Sequence, residues 1–235
     1  MASNAGNSFP CGWLPVFQNP VFQNPVFQNK CPVFCQPSII VMRNFLHPLI
    51  LASSSVHRKE LLSGAGYQFD VLPPRDSTEC GICSRETPPE MVARLAFQKA
   101  QDVSQRVEKG TVVGCDTVAE CCGQILGKPR GREDARKMLR LLQRRHHHVY
   151  SGICVWKRPC DNKLVRVAKS RLCMDPVPDR VLEDYLDSNA WQGKAGAFGL
   201  QDRENWIHMV EGSESNVIGL PLELLETMLR QIQQI

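Results

Sequence analysis

The chain has 235 residues, 43% of them hydrophobic and 22% charged, with a formal net charge of +4. That length suits one domain of substantial core, or two small lobes sharing one. The charge is too small and too evenly spread to mark a nucleic-acid binder, which more often carries a dense basic stripe, and the longest apolar runs, such as Pro37 to Met42, are far too short to span a bilayer.

The first forty-odd residues differ from the rest. Pro15-Val16-Phe17-Gln18-Asn19 recurs at Pro20 to Asn24 and again at Pro25 to Asn29. A five-residue repeat with proline in every unit forms neither a regular helix nor a central strand. Residues 1–47 are therefore expected to be a low-complexity, disordered extension, with a partner-binding tail as the alternative and Met42 as a plausible true start. Met1 to Pro10 lacks the basic start and apolar run of a secretory signal. Eleven cysteines, an odd number in such a chain, fit reduced thiols in the cytoplasm better than a disulfide framework. Cys80 and Cys83 have metal-knuckle spacing, but no second pair follows at zinc-ribbon distance, and adjacent Cys121 and Cys122 do not supply one.

From residue 48 onward, apolar runs alternate with amphipathic segments. Leu49 to Ala52 reads as a buried strand, followed by three serines and a helix through Leu61 and Leu62 that stops near Gly64 and Gly66. Tyr67 to Leu72 reads as a second strand, and Pro89 to about Val107 as a helix with Met91, Leu95 and Ala96 on one face. Thr111 to Ala119 is a predicted strand carrying Asp116 near its end. Ala135, Met138, Leu139 and Leu142 follow helical spacing. His146 to His148 read as a solvated turn before a strand at Val149 to Trp156; a further strand follows at Leu164 to Cys173. Val181 to Leu186 and the segment from Leu222 read as helices. Strands alternating with helices give an α/β domain over residues 48–235.

Several segments carry chemistry. Ser53-Ser54-Ser55 leads into a helix holding His57, Arg58 and Lys59, and a helix start with small hydroxyls and cations suits a phosphate group; a serine-capped surface helix is the plain alternative. Asp116 is an acid among strand hydrophobes, costly unless it is paired, binds a metal or sits at an open strand end. Lys128 follows in a tight Gly-Lys-Pro turn. Acid and base so arranged could share a triphosphate and its Mg²⁺. Lys99 falls on the apolar part of its helix, where a snorkelling stem is the bland reading, and Glu79 falls in a polar loop.

The order of these pieces resembles the Maf family, the septum-formation-inhibitor-like nucleotide pyrophosphatases. The resemblance runs from about Leu49 to Leu225. It rests on Leu51-Ala52-Ser53-Ser54-Ser55 with Arg58 to Leu62, Arg94-Leu95-Ala96 with Lys99-Ala100, Gly114 to Val118, and Leu126-Gly127-Lys128-Pro129. Further blocks are Val149 to Gly152, Lys194 to Gln201 and Glu211 to Pro221. The resemblance implies a mixed twisted sheet flanked by helices, two lobes with a central cleft, and commonly a homodimer. It implies metal-dependent hydrolysis of a nucleoside triphosphate to the monophosphate and pyrophosphate. Asp116 matches the family's proton acceptor. Ser53, Arg58, Lys99, Lys128 and Gln201 match residues that hold the substrate; Glu79 and Asp116 match positions that hold a divalent cation, Mg²⁺ or Mn²⁺. Position 57, usually Arg and here His57, joins Thr117 and Gln201 among those that tune base choice. Thr117 and Gln201 fit the subgroup that prefers dTTP, UTP and modified pyrimidine nucleotides. His57 does not, and a subgroup preferring 7-methyl-GTP has an aromatic nearby. The rival from another class is a nucleotide-binding regulator of cell division with little catalysis.

Overall fold

The computed structural model describes residues 48–78, 86–202 and 205–235, without the side chains of residues 77 and 201. The pentapeptide tail, Met42, Glu79 and the Cys80/Cys83 pair lie outside the described residues.

The sheet is built outward from β1 (Leu49–Ala52), a short apolar run buried along its length. Parallel neighbours lie on both of its edges, β2 (Phe69–Val71) and β3 (Gly110–Cys121). Such doubly covered parallel strands read as continuous hydrophobic runs, and that is how Leu49 to Ala52 was legible. The long strand β3 pairs antiparallel with β5 (Arg145–Arg158), which turns back into β6 (Asn162–Met174). At one border of the sheet β7 (Ile207–Glu211) lies against β6, and the short β4 (Gln124–Leu126) folds back onto the end of β3. The strand order is β2-β1-β3-β5-β6-β7 with β4 off that path, a mixed sheet flanked by helices.

The helices are α1 (Val56–Gly64), α2 (Pro88–Ser104), α3 (Arg132–Leu142), α4 (Asp179–Asp187), the short α5 (Glu214–Ile218) and α6 (Leu222–Gln233). α2 starts where Glu90 accepts from the Thr87 backbone N–H at 2.9 Å, which satisfies a donor that the helix leaves open. Its apolar side, Val92, Ala96, Ala100 and Val103, is fully buried. α2 approaches the sheet through two glycines: a Cβ on Gly114 would stand 2.3 Å from Ala96 O, and one on Gly152 2.1 Å from Val92 O. Any side chain at either position would force the helix away.

On the opposite face, β3 reads Val113, Cys115, Thr117, Ala119, Cys121, since every second residue shares a face. Val113 and Cys115 belong to a core completed by α1 and α6 through Leu62, Leu225 and Leu229. Ala119 and Cys121 belong to another, completed by α3 and α4 through Leu139, Leu142, Leu182 and Leu186. β5 follows the same division, with Ile153 and Val155 in the first core and Val149 in the second. Between them stands a polar seam, Thr117 opposite Ser151. Two lobes thus share the long strands, and the cleft opens at the seam.

Two expectations are corrected. Asp116 lies in the middle of β3, not near its end, because β4 and the full length of β5 carry the strand on to Cys121. His146 to His148 belong to β5 and are not a solvated turn: they pair with Cys173, Leu172 and Arg171, which extends the β5–β6 hairpin past the apolar run. His147 is fully buried, edge-on to Phe198 at 5.2 Å between centroids. That burial pushes its imidazole down to about 4.

Candidate active site

β5 covers one edge of β3 from Gly110 to Glu120, so β1 and β4 must share the other. β1 pairs with Thr111 to Gly114 and β4 with Ala119 to Cys121. Among the described residues, Cys115 to Val118 meets no strand on that edge. The interruption is an opening in the sheet at the carboxyl end of β1, the kind of place where open α/β sheets bind ligands. Asp116 and Thr117 occupy it, and strand alternation sends their side chains to opposite faces.

On the α2 face, Lys99 is 6% exposed, and its ammonium donates to Asp116 Oδ1 at 2.6 Å. Lys99 is therefore not a snorkelling lysine; it is held against the acid in the middle of β3. The tight approach of α2 over Gly114 and Gly152 sets this distance, and Gly152 is the residue directly across from Asp116.

On the other face, Arg58 knits three segments together. Its Nε donates to Gly219 O at 2.8 Å, Nη1 to Ser53 Oγ at 3.2 Å and Nη2 to Thr117 Oγ1 at 3.2 Å. Gly219 adopts φ +127°, a conformation open to glycine, and its carbonyl also accepts from Thr117 Oγ1 and the Cys115 thiol. From Thr117 the polar chain continues to Ser151 Oγ at 2.8 Å, from there to Asn216 O, and through the Asn216 amide to Ser170 and Val149 O. Burial pushes the Cys115 thiol up, so this cysteine beside the site is a neutral hydrogen-bond donor and not a nucleophile.

A cleft of about 560 Å³ opens here, with Ser53, His57, Arg58, Lys99, Thr117 and Lys128 all in its wall. The predicted residues from four separate segments are thus brought together. Asp116 is not itself in the wall; its side chain, 14% exposed, joins it through Lys99. The start of α1 faces the cleft through Ser53 to Arg58, and its N-cap Ser55 makes no side-chain cap. Its first amides therefore remain suited to an anion. Lys128 is exposed, and His57 lies at the mouth with Nδ1 3.4 Å from Glu60. Gln201 falls in a single turn, Leu200–Asp202, adjoining the wall residue Gly199. The sequence reading missed Lys194 as a site cation and Ser151 as the floor of the seam. Ser151 could have been found, since it breaks the alternation Val149, Ile153, Val155.

A family profile described as Maf-like protein matches residues 48–232, which takes in every segment of this cleft. The chain belongs to the Maf-like protein family. The dTTP/UTP pyrophosphatase of Rhodopirellula baltica is 54% identical over 187 residues, covering 79% of this chain and 82% of that protein. The dTTP/UTP pyrophosphatase of Dictyoglomus thermophilum is 36% identical over 185 residues, covering 78% and 95%. A solved HAM1 protein from Coxiella burnetii superposes with a TM-score of 0.44 at 14% identity, covering 78% of this chain and 98% of that one. This Maf-like chain has no helix among its described residues long and apolar enough to cross a membrane.

Proposed function

We propose that this Maf-like protein hydrolyses nucleoside triphosphates, dTTP and UTP foremost, to the monophosphate and pyrophosphate. The observation that carries the reading is the opening in the sheet, where a carboxylate held by Lys99 stands beside a cleft walled by Arg58, Lys128 and the start of α1. The base preference is drawn from the relatives named dTTP/UTP pyrophosphatase.

In this reading Asp116 accepts the proton of the water that attacks the α-phosphorus. Lys99 orients that carboxylate and adds positive charge where the attacked phosphorus gathers negative charge. Arg58, already fixed by Ser53, Thr117 and Gly219, needs no reordering to meet the phosphates. Lys128 neutralises the departing pyrophosphate, while Thr117, Gln201 and His57 face the choice of base. A divalent cation fits the donors present. Asp116 offers a hard oxygen ligand, and among the described residues no group of three or more His, Cys, Asp or Glu could hold a metal alone. Mg²⁺ is commonly shared between one or two carboxylates and substrate phosphates, so Asp116, with Glu79 as its partner in the proposal, would suffice. When bound, the cation would polarise the phosphates. The same proposal includes a cytoplasmic setting, which the free thiols of Cys115, Cys121 and Cys154 suit, and a homodimer, for which the family resemblance is the support.

The test is a screen of the purified chain with Mg²⁺ or Mn²⁺ against standard and modified triphosphates, scoring pyrophosphate and orthophosphate separately. Pyrophosphate with a matching monophosphate is expected. Orthophosphate from monophosphates, or binding with no turnover, would refute the reading.

A further inference from the structure

Lys194 lines the cleft but has no part in the scheme above. It precedes the turn Ala195–Ala197, where Gly196 takes φ +71° and donates its N–H to Gly127 O at 3.0 Å. A Cβ at 196 would stand 2.9 Å from the Phe198 ring and 3.0 Å from Ala119, so turn and ring are fitted as one piece. The Lys194 ammonium pairs with the Asp202 carboxylate, and the two side chains are only 10% and 12% exposed. The other oxygen of Asp202 accepts from the Tyr185 hydroxyl at 2.8 Å, and Tyr185 itself is 5% exposed. Tyrosine, carboxylate and ammonium thus form a covered chain that ends at the cleft.

An ammonium has three donors, and Asp202 engages one of them. Because Asp202 also neutralises Lys194, the pair offers little net attraction to a polyphosphate, in contrast to exposed Lys128. What Lys194 retains is directional N–H donors, which suit a neutral acceptor. The same cleft wall includes Val149, Phe198 and Val217, apolar and aromatic side chains of the kind that receive a flat ring. We propose that Lys194 reads the base: its ammonium donates to the exocyclic O4 carbonyl of uracil or thymine. Cytosine carries an amino group at that position and would set donor against donor, a repulsive element of the sort that makes a site selective. Asp202 and Tyr185 are positioning residues that aim the ammonium. The inference rests on the reading of the cleft as a site for pyrimidine triphosphates.

The experiment measures binding and pyrophosphate release with UTP and CTP for the native chain, Lys194→Met and Asp202→Asn. The native chain is expected to prefer UTP. Lys194→Met should lose roughly 10- to 100-fold in kcat/KM for UTP, the range of a hydrogen bond to a charged group, and hold or gain with CTP as the facing donor is removed, so the preference collapses. Asp202→Asn should reduce the preference by a smaller factor. An equal loss with both nucleotides would place Lys194 on the phosphates or in the scaffold and overturn the inference, as would a native chain indifferent to UTP and CTP. If Lys194→Met does not fold, 4-thio-UTP on the native chain decides. Sulfur is a weak acceptor, so it should bind about tenfold less tightly than UTP, and equal binding refutes the O4 contact. Absence of pyrophosphate release from every triphosphate would remove the functional reading instead, and UTP-against-CTP binding would still settle Lys194.

Discussion

Replacing Gly152 by alanine tests whether the approach of α2 sets the Lys99–Asp116 pair. The added Cβ would stand 2.1 Å from Val92 O, 2.4 Å from Val92 C and 2.8 Å from Ala93 N. These are main-chain atoms of α2, so no change of rotamer relieves the contact. To reach ordinary van der Waals separation the helix must withdraw by about 1.3 Å. Lys99 lies about two turns further along the same helix, and its 2.6 Å bond to Asp116 would open to roughly 3.5–4 Å, outside hydrogen-bond range. Overpacking of this kind costs about 1–3 kcal/mol, and a misplacement near 1 Å costs on the order of 100-fold in rate. Urea unfolding followed by tryptophan fluorescence reads the first, and steady-state pyrophosphate release the second. Gly64→Ala is the control: a Cβ there meets nothing within 4 Å, and its stability should stay within about 1 kcal/mol of native. A Gly152→Ala chain with native stability and turnover would refute the account of the helix contact. Lost stability with full turnover would refute the claim that this contact aims Lys99.

Three further outcomes are expected. Asp116→Asn should abolish pyrophosphate release while the thermal melt and nucleotide binding remain close to native; measurable turnover in that variant would remove Asp116 as the base. Arg58→Lys should lower stability by about 1–3 kcal/mol and raise KM, because one ammonium cannot span Gly219, Ser53 and Thr117 as the guanidinium does; native melts and KM would contradict this. His147 has its folded pKa pushed down to about 4 from 6.5 by burial, so its contribution to stability is full above 6.5 and is lost as pH falls toward 4. Between pH 7 and pH 5 that amounts to about 2 kcal/mol. His147→Leu should flatten the pH dependence of urea unfolding by that amount, and an unchanged slope would show that the imidazole is hydrated.

The strands and helices that bury a continuous stripe were legible in the residues, because burial imposes a period that composition betrays. β1, α2 and α6 are of this kind, and their expected positions differ from the observed ones by a few residues at most. β4 and β7 were not legible. β4 has three residues, and β7 alternates weakly because much of its length is exposed at the sheet's border. The ends of β5 and β6 escaped for a related reason: charged and histidine residues at 145–148 are held in the ladder by pairing with β6, which no local pattern announces. For the site, residue types and order were enough to nominate Ser53, Arg58, Lys99, Asp116, Thr117 and Lys128. They could not say that Asp116 sits mid-strand, or that Lys99 reaches it through two glycines.

That last point explains how a mid-strand acid can serve chemistry at all. An ordinary interior strand has both edges paired, and its side chains are sealed under helices. Here β1 stops at Ala52 and β4 begins pairing only at Ala119, so β3 is continuous while its neighbour is not. Period-two alternation then places two adjacent residues on opposite sides of one opening: Asp116 with Lys99 toward α2, Thr117 with Arg58 toward α1. Residues from two cores meet across a gap that neither core closes, and β3 and β5 hold both rims in register. Four further paired residues on β1 would run past Cys115 to Val118 and seal the opening while Asp116 and Thr117 stayed in place. The function therefore depends on where a strand ends as much as on which residues it carries.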